Sequence, residues 1–256
     1  MFADLNNILK WQPQNGDGFG EEILVKDADS CCLVAHFLAY FLRGSTPECD
    51  VCLVSTVQSF AHYNNVVAKL GLNLKQSHDD GKFIFINGLR EISDLIIKKS
   101  CIANIKDFYF FVKSSVANAF KDGRRTVLIF DDLTSLISIG YSDIDVINLT
   151  SYVRSLVTMD DRWNSIIWMT QSTSDSERNL DSDWDRLQTS LSYRANTILD
   201  VEKLKSGRCK EVHGLIMIKT GLCSTTGIKS SSEKFHFRIQ DKTVNFFPVG
   251  TSSAVL

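Results

Sequence analysis

Apolar positions along the chain alternate between short β-rich runs and longer stretches at helical spacing, the pattern of a parallel sheet whose strands are joined by crossover helices. Strands are predicted over Glu22–Val25, Val51–Val57, Phe83–Ile86, Thr126–Phe130 and Ile166–Thr170. Helices are predicted over Cys31–Arg43, from about His62 to Gly71, and over Ile92–Lys98, Ile105–Lys121, Ile144–Val157 and Trp184–Arg194. The stretch Cys31–Arg43 is apolar nearly all round, which predicts burial on several faces. From Thr197 the pattern changes. Thr197–Val201, Val212–Lys219, Phe235–Ile239 and Val244–Phe247 read as strands with no helix between them, so residues 196–256 are expected to be antiparallel. The fold class expected is α/β, a mainly parallel sheet with flanking helices and a C-terminal antiparallel extension. Three prolines and no Pro- or Gly-rich linker predict a single domain over 1–256, with residues 1–21 leading into the first strand.

Composition narrows the class. At 256 residues, 44% hydrophobic and 23% charged, the chain has the makings of a sizeable ordered core. The longest nearly unbroken apolar run, Cys31–Leu42, falls short of the ~18–20 residues that cross a bilayer. The stretch Met1–Trp11 carries Asp4, Asn6 and Asn7 where a secretory signal has a cationic start and an apolar stretch, so the protein is expected to stay inside the cell. Seven cysteines, an odd number spread through apolar segments, fit free thiols in a reducing compartment. Cys49 and Cys52 form a CxxC, half a zinc site or a redox pair by spacing. No second CxxC accompanies it, and buried structural thiols are the favoured reading.

Candidate chemistry concentrates where such a sheet binds ligands, outside the carboxyl ends of its strands. A phosphate cradle after the first strand needs the order GxxxxGK[ST]. The residues there are Lys26-Asp27-Ala28-Asp29-Ser30-Cys31-Cys32, with no glycine and no Gly-Lys pair. Asp27 and Asp29 supply repulsion where a cradle needs attraction, about 1 kcal/mol per carboxylate–phosphate pair in water and about 4 at an intermediate dielectric. Ser30 has no lysine before it. The fourth strand ends in Phe130-Asp131-Asp132, which looks like the apolar run and acid that hold magnesium in P-loop NTPases; without the cradle, a turn and helix-cap element is favoured. The histidines show no metal-ligand spacing, His36 reads as a core residue, and no GxSxG elbow is present. Lys plus Arg is 28 against 30 Asp plus Glu, so any nucleic-acid binding is local or shared. The local candidate is Lys203, Lys205, Arg208 and Lys210, four cations with no acid between them, either a solvated turn or a phosphate-contacting loop.

Met1-Phe2 with Leu5-Asn6-Asn7, Phe37-Leu38 after the degenerate first turn, Gln58-Ser59-Phe60 with His62-Tyr63, Asp131-Asp132-Leu133, Val212-His213-Gly214, and the tail from Ile239-Gln240-Asp241-Lys242 to Ala254-Val255-Leu256 resemble the family of sixth subunits of the Elongator complex. That family is similar in fold to RecA-like and KaiC-like ATPases but lacks their nucleotide motifs. The resemblance implies a non-catalytic member of a hetero-hexameric ring, two copies each of the fourth, fifth and sixth subunits, docked on a catalytic subcomplex. It implies support of wobble-uridine modification in tRNA, tRNA binding by the assembled ring, no cofactor or metal in this chain, no membrane partner, and a cytoplasmic location with the nucleus as a second compartment. In this superfamily ATP often sits between subunits, so Lys219 or Arg208 is a candidate cation lent to a neighbour's site. Two other readings are an active RecA-like ATPase with an unusual cradle and a scaffold in transcription or chromatin.

Overall fold

Val, Ile, Leu and Phe dominate the central strands because both faces of a sheet with crossover helices are covered. The computed structural model describes residues 3–9, 21–27, 33–43, 49–99, 104–119, 124–158, 165–172, 182–204, 211–221, 231–240 and 243–250. Its strands are β1 (Glu22–Asp27), β2 (Cys49–Ser55), β3 (Phe83–Asn87), β4 (Arg125–Asp131), β5 (Ser165–Gln171), β6 (Thr197–Lys203), β7 (Gly214–Thr220), β8 (Ser231–Ile239) and β9 (Val244–Pro248). They form one sheet in the order β3-β2-β4-β5-β1-β6-β7-β8-β9. The helices are α1 (Ala3–Leu9), α2 (Leu33–Leu42), α3 (Phe60–Ala68), α4 (Leu74–Asp79), α5 (Gly88–Lys99), α6 (Ile105–Ala119), α7 (Thr134–Ile139), α8 (Asp143–Thr158) and α9 (Asp183–Arg194).

Strand alternation sorts the core into two layers. Odd-numbered residues of the central strands, such as Val25, Leu53, Ile129 and Met169, pack under α1 to α4. Even-numbered ones, such as Leu24, Val54, Phe130 and Trp168, pack under α5 to α9. The α2 stretch is buried at every position from Leu33 to Phe41, matching its all-round apolar sequence. His36 sits inside it, where burial holds its imidazole down at about 3. Cys49 and Cys52 are three positions apart on β2, so their side chains point to opposite layers and do not share a ligand. Burial pushes the Cys52 thiol up to about 12.

Antiparallel pairing, expected from residue 196 onward, begins one strand later. β6 lies parallel to β1 and antiparallel to β7, because α9 carries the chain back across the sheet before β6 starts. The helices α1, α4 and α7, each of seven residues or fewer, are absent from the elements predicted by sequence, being shorter than the window in which helical periodicity registers.

At the amino ends of the strands Glu22 is buried and ion-paired twice. Its carboxylate lies 2.9 Å from Arg154 Nε on α8 and 3.5 Å from Arg194 Nε on α9, and it accepts from Trp168 Nε1 at 2.9 Å. This cluster ties the first strand to two helices of one layer. In the extension, Gly214 stands level with Lys203 on one side and Phe237 on the other. A Cβ at Gly214 would lie 2.5 Å from the Phe237 ring and 2.8 Å from the Glu202 carbonyl. Gly214→Ala is therefore expected to lower the stability of the fold by about 1–3 kcal/mol, read as a shift of the urea midpoint at constant slope. An unchanged midpoint would show that the β6–β7–β8 packing is looser than this.

Candidate functional site

The chain leaves β1 toward α2 on one face of the sheet and leaves β5 toward α9 on the other, and β1 and β5 are neighbours. The crevice at their carboxyl ends is thus the switch point at which open α/β sheets bind ligands. A cleft of about 210 Å³ opens there, with Asp27 from β1, Asp131 and Asp132 from the end of β4, Thr170 and Gln171 from β5, and His62 and Tyr63 from α3 around it.

Local sequence explains how Tyr63 reaches the acids. Ser59 caps α3 by accepting the His62 N–H, and the helix then turns its Tyr63–Val67 stripe inward. The Tyr63 hydroxyl donates to Asp131 Oδ2 across 2.6 Å and lies 2.9 Å from Ser55 Oγ. Asp132 turns the other way. Its Oδ1 accepts the Thr134 N–H at 2.6 Å and the Thr134 hydroxyl, and Thr134 Oγ1 in turn accepts the Gln171 N–H at 3.1 Å. The Asp132 main chain is held by Thr56, which donates to its carbonyl at 2.7 Å and accepts its N–H at 3.0 Å. Asp132 is thus the acceptor of the turn at the start of α7.

The electrostatics follow from burial among like charges. Asp131 is raised above the usual carboxylate range, first by desolvation and further by Asp27, while the Tyr63 hydrogen bond and His62 pull it back. Asp132 is pushed up to about 7, again first by burial, against the hydrogen bonds from Thr134. Burial and the Asp131 charge move the Tyr63 hydroxyl well above its ordinary value. The described lining residues include no Lys or Arg. Asp131 meets the Tyr63 hydroxyl, and Asp132 meets the hydroxyl and the N–H of Thr134.

Sequence reasoning places Asp27, Asp131 and Asp132 at this edge, and the structure gathers all three around one cleft. Asp29 and Ser30 lie outside the described residues, as do Lys205, Arg208 and Lys210. Lys203 closes β6 on the same edge of the sheet as the cleft. Lys219, level with Ile198 and Ser232, sits at the opposite, amino-terminal edge of β6. Tyr63, Thr56 and Thr134 carry no sequence motif that marks them as site residues. The Tyr63–Asp131 contact joins residues 68 positions apart, and its one local trace is the Ser59 cap that sets the helix phase. Among the described residues no group of His, Cys, Asp or Glu is placed to hold a metal ion, and no helix is long and apolar enough to cross a membrane.

The raised Asp132 value has a signed consequence. Between its ordinary 3.8 and about 7 the folded chain keeps a proton that the unfolded chain has released, so this group's contribution to stability falls as pH rises through that interval. Asp132→Asn keeps an oxygen for Thr134 and removes the charge. The variant is expected to exceed the parent in stability at pH 8, by on the order of 3 kcal/mol, with the gap closing toward pH 4. Urea melts across that range check it, and a gap independent of pH would contradict it.

Over residues 2–241 the chain matches the family described as Elongation complex protein 6. It is 34% identical over 276 residues to Elongator complex protein 6 of Xenopus tropicalis and 31% identical over 274 residues to that of Homo sapiens, with 100% of both chains covered in each case. Two solved structures are similar in fold. An uncharacterized protein of Pyrococcus horikoshii, crystallised in complex with an unknown peptide, has a TM-score of 0.61 at 10% identity, covering 96% of this chain and 97% of that one. A KaiC-like protein of the same archaeon has a TM-score of 0.57 at 13% identity, covering 90% and 91%. The fold is thus RecA-like of the KaiC-like kind, and the chain belongs to the Elongator complex protein 6 family.

Proposed function

We propose that this chain is a non-catalytic subunit of the Elongator complex. In this reading it joins the fourth and fifth subunits in a hetero-hexameric ring, docks on the catalytic subcomplex, and supports wobble-uridine modification by helping the ring hold tRNA, in the cytoplasm and also in the nucleus. Family membership supports the assembly. One observation carries the non-catalytic part: at the edge where a RecA-like fold takes a nucleotide, Asp27, Asp131 and Asp132 face a cleft whose described lining has no Lys or Arg. A triphosphate brought there meets repulsion from each ionised carboxylate, about 1 kcal/mol at 4 Å in water and several-fold more where solvent is excluded. The magnesium that accompanies it would have to displace the Tyr63 hydroxyl from Asp131. The residues leave this chain to contribute shape and surface, with Lys219 as a cation available to a neighbour and Lys203 marking the start of the basic segment offered to RNA.

Calorimetric titration of the chain with Mg–ATP tests the cleft: no saturable binding is expected, and micromolar affinity abolished by Asp131→Ala would overturn the reading in favour of an active ATPase. For RNA, replacing Lys203, Lys205, Arg208 and Lys210 by Gln in the reconstituted assembly is expected to flatten the dependence of log K for tRNA on log[salt], by about 0.7–0.9 for each phosphate that is no longer neutralised. An unchanged slope would remove this segment from the RNA interface.

A further inference from the structure

Away from the cleft, three buried acids of this chain meet cations. Glu22 has Arg154 at 2.9 Å, Asp50 has Arg124 at 3.1 Å and Asp143 has Arg186 at 2.6 Å. A carboxylate taken out of water recovers part of its lost hydration from such a charge. The cleft that Asp131 and Asp132 share with Asp27 has no Lys or Arg in its described lining.

Its hydrogen bonds leave an acceptor over. Asp131 takes the Tyr63 hydroxyl on Oδ2, and among the described residues no donor reaches its Oδ1. Desolvation is the largest cause of the raised Asp131 value, so this oxygen belongs to a carboxyl that borders the cleft and has already lost most of its water. The rest of the wall is apolar. Leu33 and Val34 of α2, Val66 of α3 and Met169 of β5 stand around a space of about 210 Å³, room for a short alkyl stem with a charged head. A bare metal ion leaves those walls unused, and no group of His, Cys, Asp or Glu among the described residues is placed to hold one. An organic cation uses both the acids and the walls.

We propose that the cleft is a site for an organic cation with an apolar stem, an alkylguanidinium or alkylammonium group. The charged head meets Asp131 and Asp132, with Asp27 beside them, and the stem lies on Val34, Val66 and Met169. Carboxylates bind such heads through charge-assisted hydrogen bonds, and guanidinium offers its N–H groups in pairs. The group arrives either as a basic side chain of a neighbouring subunit or as a small free molecule, and the chemistry that recognises it is the same. The inference goes beyond the proposed function and shares with it one requirement, that no nucleotide fills the cleft.

Titration of the isolated chain with n-butylguanidinium, followed by NMR, tests it. Saturable shifts are expected at Asp131, Tyr63 and Val66, with a Kd on the order of millimolar. Two comparisons should each bind at least about tenfold more weakly: n-butylurea, which has the same shape without the charge, on the parent chain, and n-butylguanidinium on Asp131→Asn. The unaltered chain gives a further reading. A cation favours the ionised acids, so affinity should rise several-fold from pH 6 to pH 8 as Asp132 gives up its proton. Asp27 and Asp131 act in the same sense, and His62, which faces Asp131, opposes a cation when protonated. Shifts that stay linear in concentration, or that saturate equally with n-butylurea, overturn the inference and leave the proposed function standing. Saturable Mg–ATP binding in the same cleft overturns both. In the assembly with the fourth and fifth Elongator subunits, loss of n-butylguanidinium binding assigns the cation to a neighbour's side chain, and retention assigns it to a free molecule; either result upholds the site.

Discussion

A carboxylate that loses water must find a positive charge, find donors, or hold a proton. Asp131 and Asp132, on a cleft with no Lys or Arg in its described lining, take the second and third options. Asp131 finds the Tyr63 hydroxyl, and Asp132 finds Thr134 and stays near its protonation point at neutral pH. The Tyr63 bond pins α3 against the end of β4. The Asp132–Thr134–Gln171 chain joins β4 to β5 through the start of α7. The wall of the cleft thus depends on how these acids are satisfied.

The opposite end of the sheet solves the same problem with cations. Glu22 is as buried as Asp132 but stands between Arg154 and Arg194, with the Trp168 indole as a further donor. Buried pairs of this kind hold elements together when both partners are present. The chain therefore has guanidinium groups packed against its strands, at the end away from the ligand crevice. Within the proposed ring that division is coherent: a matched amino-terminal end keeps the helices in place, while the carboxyl-terminal end keeps the RecA-like shape without the chemistry of phosphate binding.

Much of the fold is readable from residue order alone. Runs such as Thr126–Phe130 and Ile166–Thr170 announce strands covered on both faces, and the all-round apolar Leu33–Phe41 could only be a helix held between layers. The departure from helical crossovers after Thr197 is visible too, although the direction of β6 is not: strand orientation follows from where a helix delivers the chain, which residue type does not encode. At the site, the acids are legible because Asp27 and Asp131–Asp132 sit at the ends of apolar runs. Tyr63 is not, since a hydroxyl that meets a carboxylate 68 residues away leaves no periodic trace. The edge character of β3 is equally hidden, because Phe-Ile-Phe-Ile reads the same in a central strand as in a terminal one.

The most direct measurement is a crystal structure of the chain soaked in millimolar Mg–ATP. A cleft free of nucleotide is expected, with the Tyr63 hydroxyl on Asp131 as it is here. A triphosphate lying along the end of β1 beside Asp27, with magnesium on Asp131 and Tyr63 displaced, would contradict it.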